Sequence, residues 1–519
     1  MYSDIVETGY GKVRGLNKEG INVYKGIPYG GSTEGSARFM PPTRPASWTG
    51  VRDVFDYGPA CFQTKGGINV DNELTRTQPP RKSEEFQSEN CLVLNVWSPG
   101  TGDGKKRPVL FWCHGGGYFA GSGSNSVNDG TNLARRGDVV VVTINHRLGP
   151  LGFLYLKELG GSDYGASGNA GMLDIVAALK WVRDNIEAFG GDPGNVTLFG
   201  HSGGGGKVST LLAMPAAKGL FHRAVIQGAY GLRMMESSAA SETTERILAV
   251  LGLKKDQLER LHQLHPKQLW DAYYHISKWD PIAFAEKRRN VMNIGPVVDG
   301  MHLPHHPFDP VGPEISAHIP IMIGTTKDES TIFLGSEPNL GQVDEAGMRQ
   351  WLKHYVGEQN VDRVIVAYLK DEPNASPNDL LVAVSSDVIT IKDSIVLAER
   401  KIAPKGAPVY MYRFEHESPT LGGKMKSLHG LEIPFVFDNL HKSTPDFVGD
   451  APGLSDLAAN MSQAWINFAS SGNPNHDGLP AWPPYNLEER PTMVFDKQCN
   501  IVNDPRREGR RVLDQLFIS

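Results

Sequence analysis

One serine in this chain is crowded by glycine. In "NVTLFGHSGGGGKVS" (195–209), Gly200 stands two residues before Ser202, and Gly203 to Gly206 follow it. A glycine inside a helix costs roughly 1 kcal/mol against alanine, so such a run beside one hydroxyl needs a reason. A serine Oγ becomes a nucleophile when a tight turn exposes it and a base takes its proton. In such a turn the residues two before and two after must be nearly free of side chain, or the entering strand and the leaving helix collide. Gly200 and Gly204 meet that demand. The N–H of Gly203 would help hold the negative charge that develops on an attacked carbonyl oxygen. For Gly205 and Gly206 the sequence offers only close backbone packing.

A second glycine loop points to the same chemistry. "FWCHGGGYFAGSGS" sets His114-Gly115-Gly116-Gly117 directly after an apolar run. Backbone N–H groups of such a loop can face the oxygen of a tetrahedral intermediate, and loss of one donor of this kind costs roughly 3 to 4 kcal/mol. A rival reading of "GGGGK" as a phosphate loop, G-x-x-x-x-G-K-[ST], fails on register. With Lys207 as the lysine, His201 falls where the first glycine belongs and Val208 where Ser or Thr belongs.

The elements around these loops follow from apolar patterning. "PVLFWC" (108–113), "VVVVTIN" (139–145), "VTLF" (196–199), "HIPIMIG" (318–324) and "PVYMYRF" (408–414) read as buried strands. Near-continuous apolar strands separated by helical stretches indicate a parallel or mixed α/β sheet. Met172, Val176, Leu179, Val182, Ile186 and Phe189 recur every three or four residues and predict one helix. Gly190 and Gly191 end it. "VSTLLAMPAAKG", after the serine, is again helix-like. Ser202 thus lies in a strand–turn–helix context, the nucleophile elbow of α/β-hydrolases.

Composition narrows the function classes. The 519 residues carry 52 Lys and Arg against 58 Asp and Glu, a net charge of −6. That balance lacks the basic footprint of a nucleic-acid binder, and no apolar run reaches the ~18 residues of a membrane span. Cys61, Cys91, Cys113 and Cys499 form no C-x-x-C, which argues against a zinc site. Cys113 reads as a buried thiol. Cys61 and Cys91 could close a loop over a polar, turn-rich stretch. His305 and His306, in "LPHHPFDP", match no metal-ligand spacing and read as loop residues. The opening "MYSDIVETGYGKVRG" has no charged segment followed by an apolar one. Two locations stay open: the cytoplasm, or an extracytoplasmic compartment if a leader has been removed.

In these motifs, and in ordered blocks along nearly all its length, the sequence resembles the type-B carboxylesterase family, most of all its p-nitrobenzyl esterase branch. The blocks include "GIPYG" (26–30), "SENCLVLNVWSP" (88–99), "HGGGYFAGS" (114–122), "NHRLGPLGF" (145–153), "GTTKDES" (324–330), "HGLEIPFVF" (429–437) and "WINFASSGNPN" (465–475). The resemblance implies one α/β-hydrolase domain over 1–519: a large, mixed, mostly parallel sheet, flanking helices, and long loop insertions forming a gorge. It also implies a Ser202, Glu329 and His429 triad, an oxyanion hole from Gly116, Gly117 and Gly203, and no cofactor or metal. Asp328 is the neighbouring competitor for the acid. The implied substrate is a small-molecule ester, with no nucleic-acid partner, as a monomer or a homodimer. By the same resemblance Cys61 and Cys91 match the family's first disulfide, and Arg38 with Glu89 and Arg147 with Asp174 match buried ion pairs.

Departures from the pattern matter. The family usually reads G-E-S-A-G; here His201 and Gly203 replace the carboxylate and the alanine. The segment between Cys61 and Cys91 also lacks the tryptophan that stacks on quaternary ammonium in cholinesterases. Both departures disfavour choline esters. His201 is expected to be structural rather than a second base. Within the same triad chemistry, amides, carbamates or polyesters are alternatives to simple esters. A non-catalytic binding module is disfavoured, because such relatives lack nucleophile or partners and this chain keeps all three.

Overall fold

The computed structural model describes residues 1–63, 86–229, 231–277, 282, 293–335, 337, 339–404, 406–424 and 426–517. The polar stretch expected between Cys61 and Cys91 falls mostly outside them.

Thirteen strands form one sheet among the described residues. In chain order they are β1 (Tyr2–Thr8), β2 (Gly11–Lys18), β3 (Ile21–Pro28), β4 (Val51–Asp53), β5 (Val93–Ser98), β6 (Arg107–Cys113), β7 (Val140–Ile144), β8 (Gly191–His201), β9 (Arg223–Gln227), β10 (Ile321–Thr326), β11 (Val409–Phe414), β12 (Pro491–Phe495) and β13 (Asn500–Asn503). The order across the sheet is β1-β2-β3-β5-β7-β6-β8-β9-β10-β11-β12-β13, with β4 beside β2. From β7 to β12 all pairings are parallel, and both ends are antiparallel. This is the large, mixed, mostly parallel sheet flanked by helices that the resemblance implies. Its central strands are apolar on both faces because both faces are covered. Every residue of β7 is fully buried.

Alternation along β6 shows the two layers. Val109, Phe111 and Cys113 belong to the same core as Ile175, Leu179 and Val182 of helix α1 (Ala170–Asn185). Leu110 and Trp112 face the other way, with Trp465, Ile466 and Phe468 of helix α2 (Leu454–Ser471). Successive side chains of a strand point to opposite faces, so the helices lie on opposite sides of the sheet. The predicted stripe from Met172 to Phe189 is buried throughout. Its last four residues tighten into a 3₁₀ turn, and Gly190 ends the element at φ +79°.

Two ion pairs are buried as the resemblance implies. Arg38 grips Glu89 through Nε at 2.6 Å and Nη2 at 2.5 Å, and donates to the carbonyls of Leu261 and Leu264. Arg147 grips Asp174 through Nε at 2.9 Å and Nη2 at 2.7 Å, and the carboxylate also accepts from Arg147 N–H. The expected Cys61–Cys91 disulfide is not formed in this structure, where both are free, buried thiols. The Cys61 sulfur accepts from Leu148 N–H at 3.2 Å and its S–H donates to the Phe62 carbonyl, partners that suit a thiol. Burial, followed by the neighbouring Cys61, holds the Cys91 thiol well above its usual range.

Candidate active site

Strand register brings the candidate residues together. Ser202 follows β8, Glu329 follows β10, and His429 lies in the loop after β11. These strands run parallel with β9 between the first two, so their carboxyl ends share one edge of the sheet. Backbone hydrogen bonds continue the ladder past the strand ends. Ser202 N–H donates to Gln227 O, Gly228 N–H to Gly324 O, and Lys327 N–H to Phe414 O, each at 2.8 Å. A bridge between Asp328 and Leu428 ties the last two loops together.

Ser202 adopts φ +57° and ψ −125°, a conformation that side-chain-bearing residues rarely hold and that marks stored strain. Helix α3 (Gly203–Ala213) starts at the next residue, so the glycine run is its first turn rather than a loop before it. A Cβ on Gly200 would meet the carbonyl oxygens of Gly204 and Cys113 at 2.6 and 2.8 Å, and one on Gly204 would stand 2.0 Å from Cys113 O. The elbow needs both glycines, as the sequence indicated. Gly205, unexplained before, would drive a Cβ to 2.6 Å from the Ala229 side chain and 3.1 Å from Gln227 O. It lets α3 lie against the end of β9.

The second glycine loop faces this turn. Gly116 and Gly117 have φ +93° and +61°, so the loop demands glycine for its own path as well as for access. A Cβ on Gly203 would lie 2.4 Å from the Gly117 Cα, and one on Gly115 2.9 Å from His201 O. Gly203 and Gly117 are therefore in direct backbone contact, with no room for the alanine usual at residue 203.

Of the two acidic neighbours, Glu329 meets the imidazole. Its Oε2 accepts from His429 Nδ1, and its Oε1 accepts from Thr326 N–H at 2.8 Å. Asp328 turns away: its carboxylate accepts from Ser427 N–H at 3.2 Å, and it lines a polar cleft with Lys327, Lys426 and Arg506. Glu329 is fully buried, whereas the His429 side chain keeps 10% of its surface exposed and Ser202 is half-buried. Burial opposes the His429 imidazolium, but the charge and hydrogen bond of Glu329, helped by Glu432, outweigh it and raise the pKa above 6.5. Among the described residues no hydrogen bond joins Ser202 Oγ to the imidazole. Catalytic hydrogen bonds of unliganded enzymes commonly tighten only with substrate.

His201 lies beneath this pair, its ring centroid 4.3 Å from that of His429. Burial, then the neighbouring His429, depresses its pKa well below 6.5, so it is a neutral ring. Its Nε2 is 3.8 Å from Glu432 Oε1. Glu432 was not singled out from the sequence, although it stands three residues after His429. It is fully buried, and burial together with the Glu329 charge pushes its carboxyl up to about 7. Lys207, weighed above only as a phosphate ligand, is fully buried beneath the second glycine loop. His305 and His306 lie in a loop, where His306 contacts Glu236 and Met234.

The sequence matches the model of the Carboxylesterase family over residues 2–511. The chain belongs to the carboxylesterase family. It is 37% identical to the para-nitrobenzyl esterase of Bacillus subtilis (strain 168), covering 99% of both chains, and 34% identical to phenmedipham hydrolase of Pseudarthrobacter oxydans, covering 97% of both. Among solved structures, carboxylesterase EST55 of Geobacillus stearothermophilus superposes with a TM-score of 0.84 at 40% identity, covering 98% of this chain and 100% of that one. Carboxylesterase membership and these relatives make the protein a carboxylic ester hydrolase of the α/β-hydrolase fold, acting on small-molecule esters. Among the described residues no helix is long and apolar enough to cross a membrane.

Proposed function

We propose that this carboxylesterase works through a Ser202–Glu329–His429 triad and an acyl-enzyme. The observation that carries the reading is the Glu329 carboxylate on His429 Nδ1, at the same sheet edge as a strained serine beside the second glycine loop. That hydrogen bond fixes the tautomer whose Nε2 accepts the Ser202 proton. Oγ then attacks the ester carbonyl, and the N–H groups of Gly116, Gly117 and Gly203 receive the oxyanion. His429 gives its proton to the departing alcohol, leaving the acyl group on Oγ. Water follows the same path with His429 as base, releasing the acid and restoring the serine. No step calls for a metal or cofactor.

His201 supports a preference for uncharged esters. A neutral ring stands where the family usually has a carboxylate, which removes an attraction for cationic substrates. Covalent labelling by a fluorophosphonate tests the triad. One label per chain on the Ser202 peptide, lost in Ser202→Ala together with ester turnover, is the expected result. Full hydrolysis by Ser202→Ala would refute it. A panel of p-nitrophenyl esters of rising acyl length, beside anilide and carbamate analogues, separates simple esterase activity from the amide and carbamate alternatives.

A further inference from the structure

The Lys207 side chain spans from helix α3 to the second glycine loop. Lys207 stands four residues beyond Gly203, and its Nζ donates to the carbonyls of His114 and Gly117, at 2.9 Å each. These carbonyls lie at the two ends of the loop that holds Gly116 and Gly117. We propose that Lys207 is a positioning residue for ester hydrolysis, setting the distance between the donors on the loop and the nucleophile and Gly203 on α3. The inference rests on the oxyanion hole assigned above.

Burial of this amine has no other account in the structure. Lysine is almost never fully buried unless paired, and among the described residues no carboxylate forms an ion pair with Lys207. Cys113 and His146 stand near it, and the Tyr118 ring centroid is 5.7 Å from Nζ. Burial pushes the ammonium down to about 7. The clamp does not depend on that charge, because a neutral amine keeps two N–H groups for two carbonyls. An apolar residue would fill the space but leave both carbonyls buried without these donors, a loss the loop can relieve only by moving. Movement there is costly for the reaction, since the loop contacts Gly203 backbone to backbone.

Lys207→Met, close in volume and without a donor, is the test. The expected result is a folded enzyme whose kcat on p-nitrophenyl butyrate falls about thirty- to hundredfold, the scale of a ~1 Å misplacement. KM should move by less than about threefold, since a donor to the oxyanion acts only in the transition state. Affinity for a trifluoromethyl ketone, which forms the tetrahedral adduct, should fall by the same factor as kcat. Fluorophosphonate should still reach one label per chain, only more slowly. Wild-type kcat in folded Lys207→Met, or a kcat loss without loss of ketone affinity, would overturn the proposal. Should Met, Leu and Gln at this position all fail to fold, Lys207 is structural and the proposal is equally overturned. Absence of Ser202 labelling in the wild type would instead refute the triad, which keeps the two failures distinct.

Discussion

Gly204→Ala probes the elbow most directly. The new Cβ would stand 2.0 Å from Cys113 O and 3.0 Å from both the Cys113 carbon and His114 O. Ordinary contact begins at 3.4 Å, so the first atom is about 1.4 Å too close. Cys113 ends a central strand and pairs with Gly200 of β8, so it cannot retreat without opening the sheet. Helix α3 must lift instead, and Ser202 at its start is carried with it. Overpacking of this kind costs typically about 1–3 kcal/mol of stability. Displacing the nucleophile by ~1 Å costs about a hundredfold in rate. The expected outcome is a kcat near one-hundredth of wild type, normalised to fluorophosphonate-titrated sites, with a urea midpoint shifted by that stability loss. Gly219→Ala is the control: no atom lies within 4 Å of its Cβ, and only its φ of +75° opposes the change. Gly204→Ala within about threefold of wild-type kcat would refute the reasoning.

Three further outcomes follow from the same geometry. Because Glu329 and Glu432 raise the His429 pKa, kcat/KM should climb as pH rises through a midpoint above 6.5, and an acid limb centred below 6 would contradict the assignment. Glu329→Gln removes the anion, so the limb should move to lower pH while kcat falls by up to ~10⁴-fold; a pH–rate series on both proteins checks the sign. Asp174→Asn strands the Arg147 charge inside the fold and should cost about 3–5 kcal/mol in denaturant unfolding, with kcat per titrated site unchanged.

The sequence announced those parts of the molecule whose chemistry is periodic or local. β6, β7 and β11 appeared as near-continuous apolar runs because the sheet is covered on both faces. The elbow was legible because glycine spacing around one serine has a steric meaning. β1 was not, since its burial alternates irregularly and Ile5 is half-exposed at the sheet's edge. His429 sits in a loop without periodicity, one of sixteen histidines, and only the resemblance selected it. Glu432 and Lys207 escaped for a deeper reason: a carboxylate and an ammonium are ordinarily solvated, so nothing in their residue type signals full burial. The expected Cys61–Cys91 bridge rested on a loop the two residues could close and on family pattern, neither of which specifies the partners each sulfur meets in the fold.

Glu432 has a consequence for calorimetry. A carboxyl that titrates near 7, held close to an imidazole that gains a proton when a tetrahedral adduct forms, shifts its proton occupancy on forming that adduct. Forming a stable tetrahedral adduct on the serine, as with a trifluoromethyl ketone, therefore exchanges a fractional number of protons with the medium. The apparent enthalpy of inhibition at neutral pH will then differ between phosphate and Tris by that fraction times the difference in their heats of ionisation.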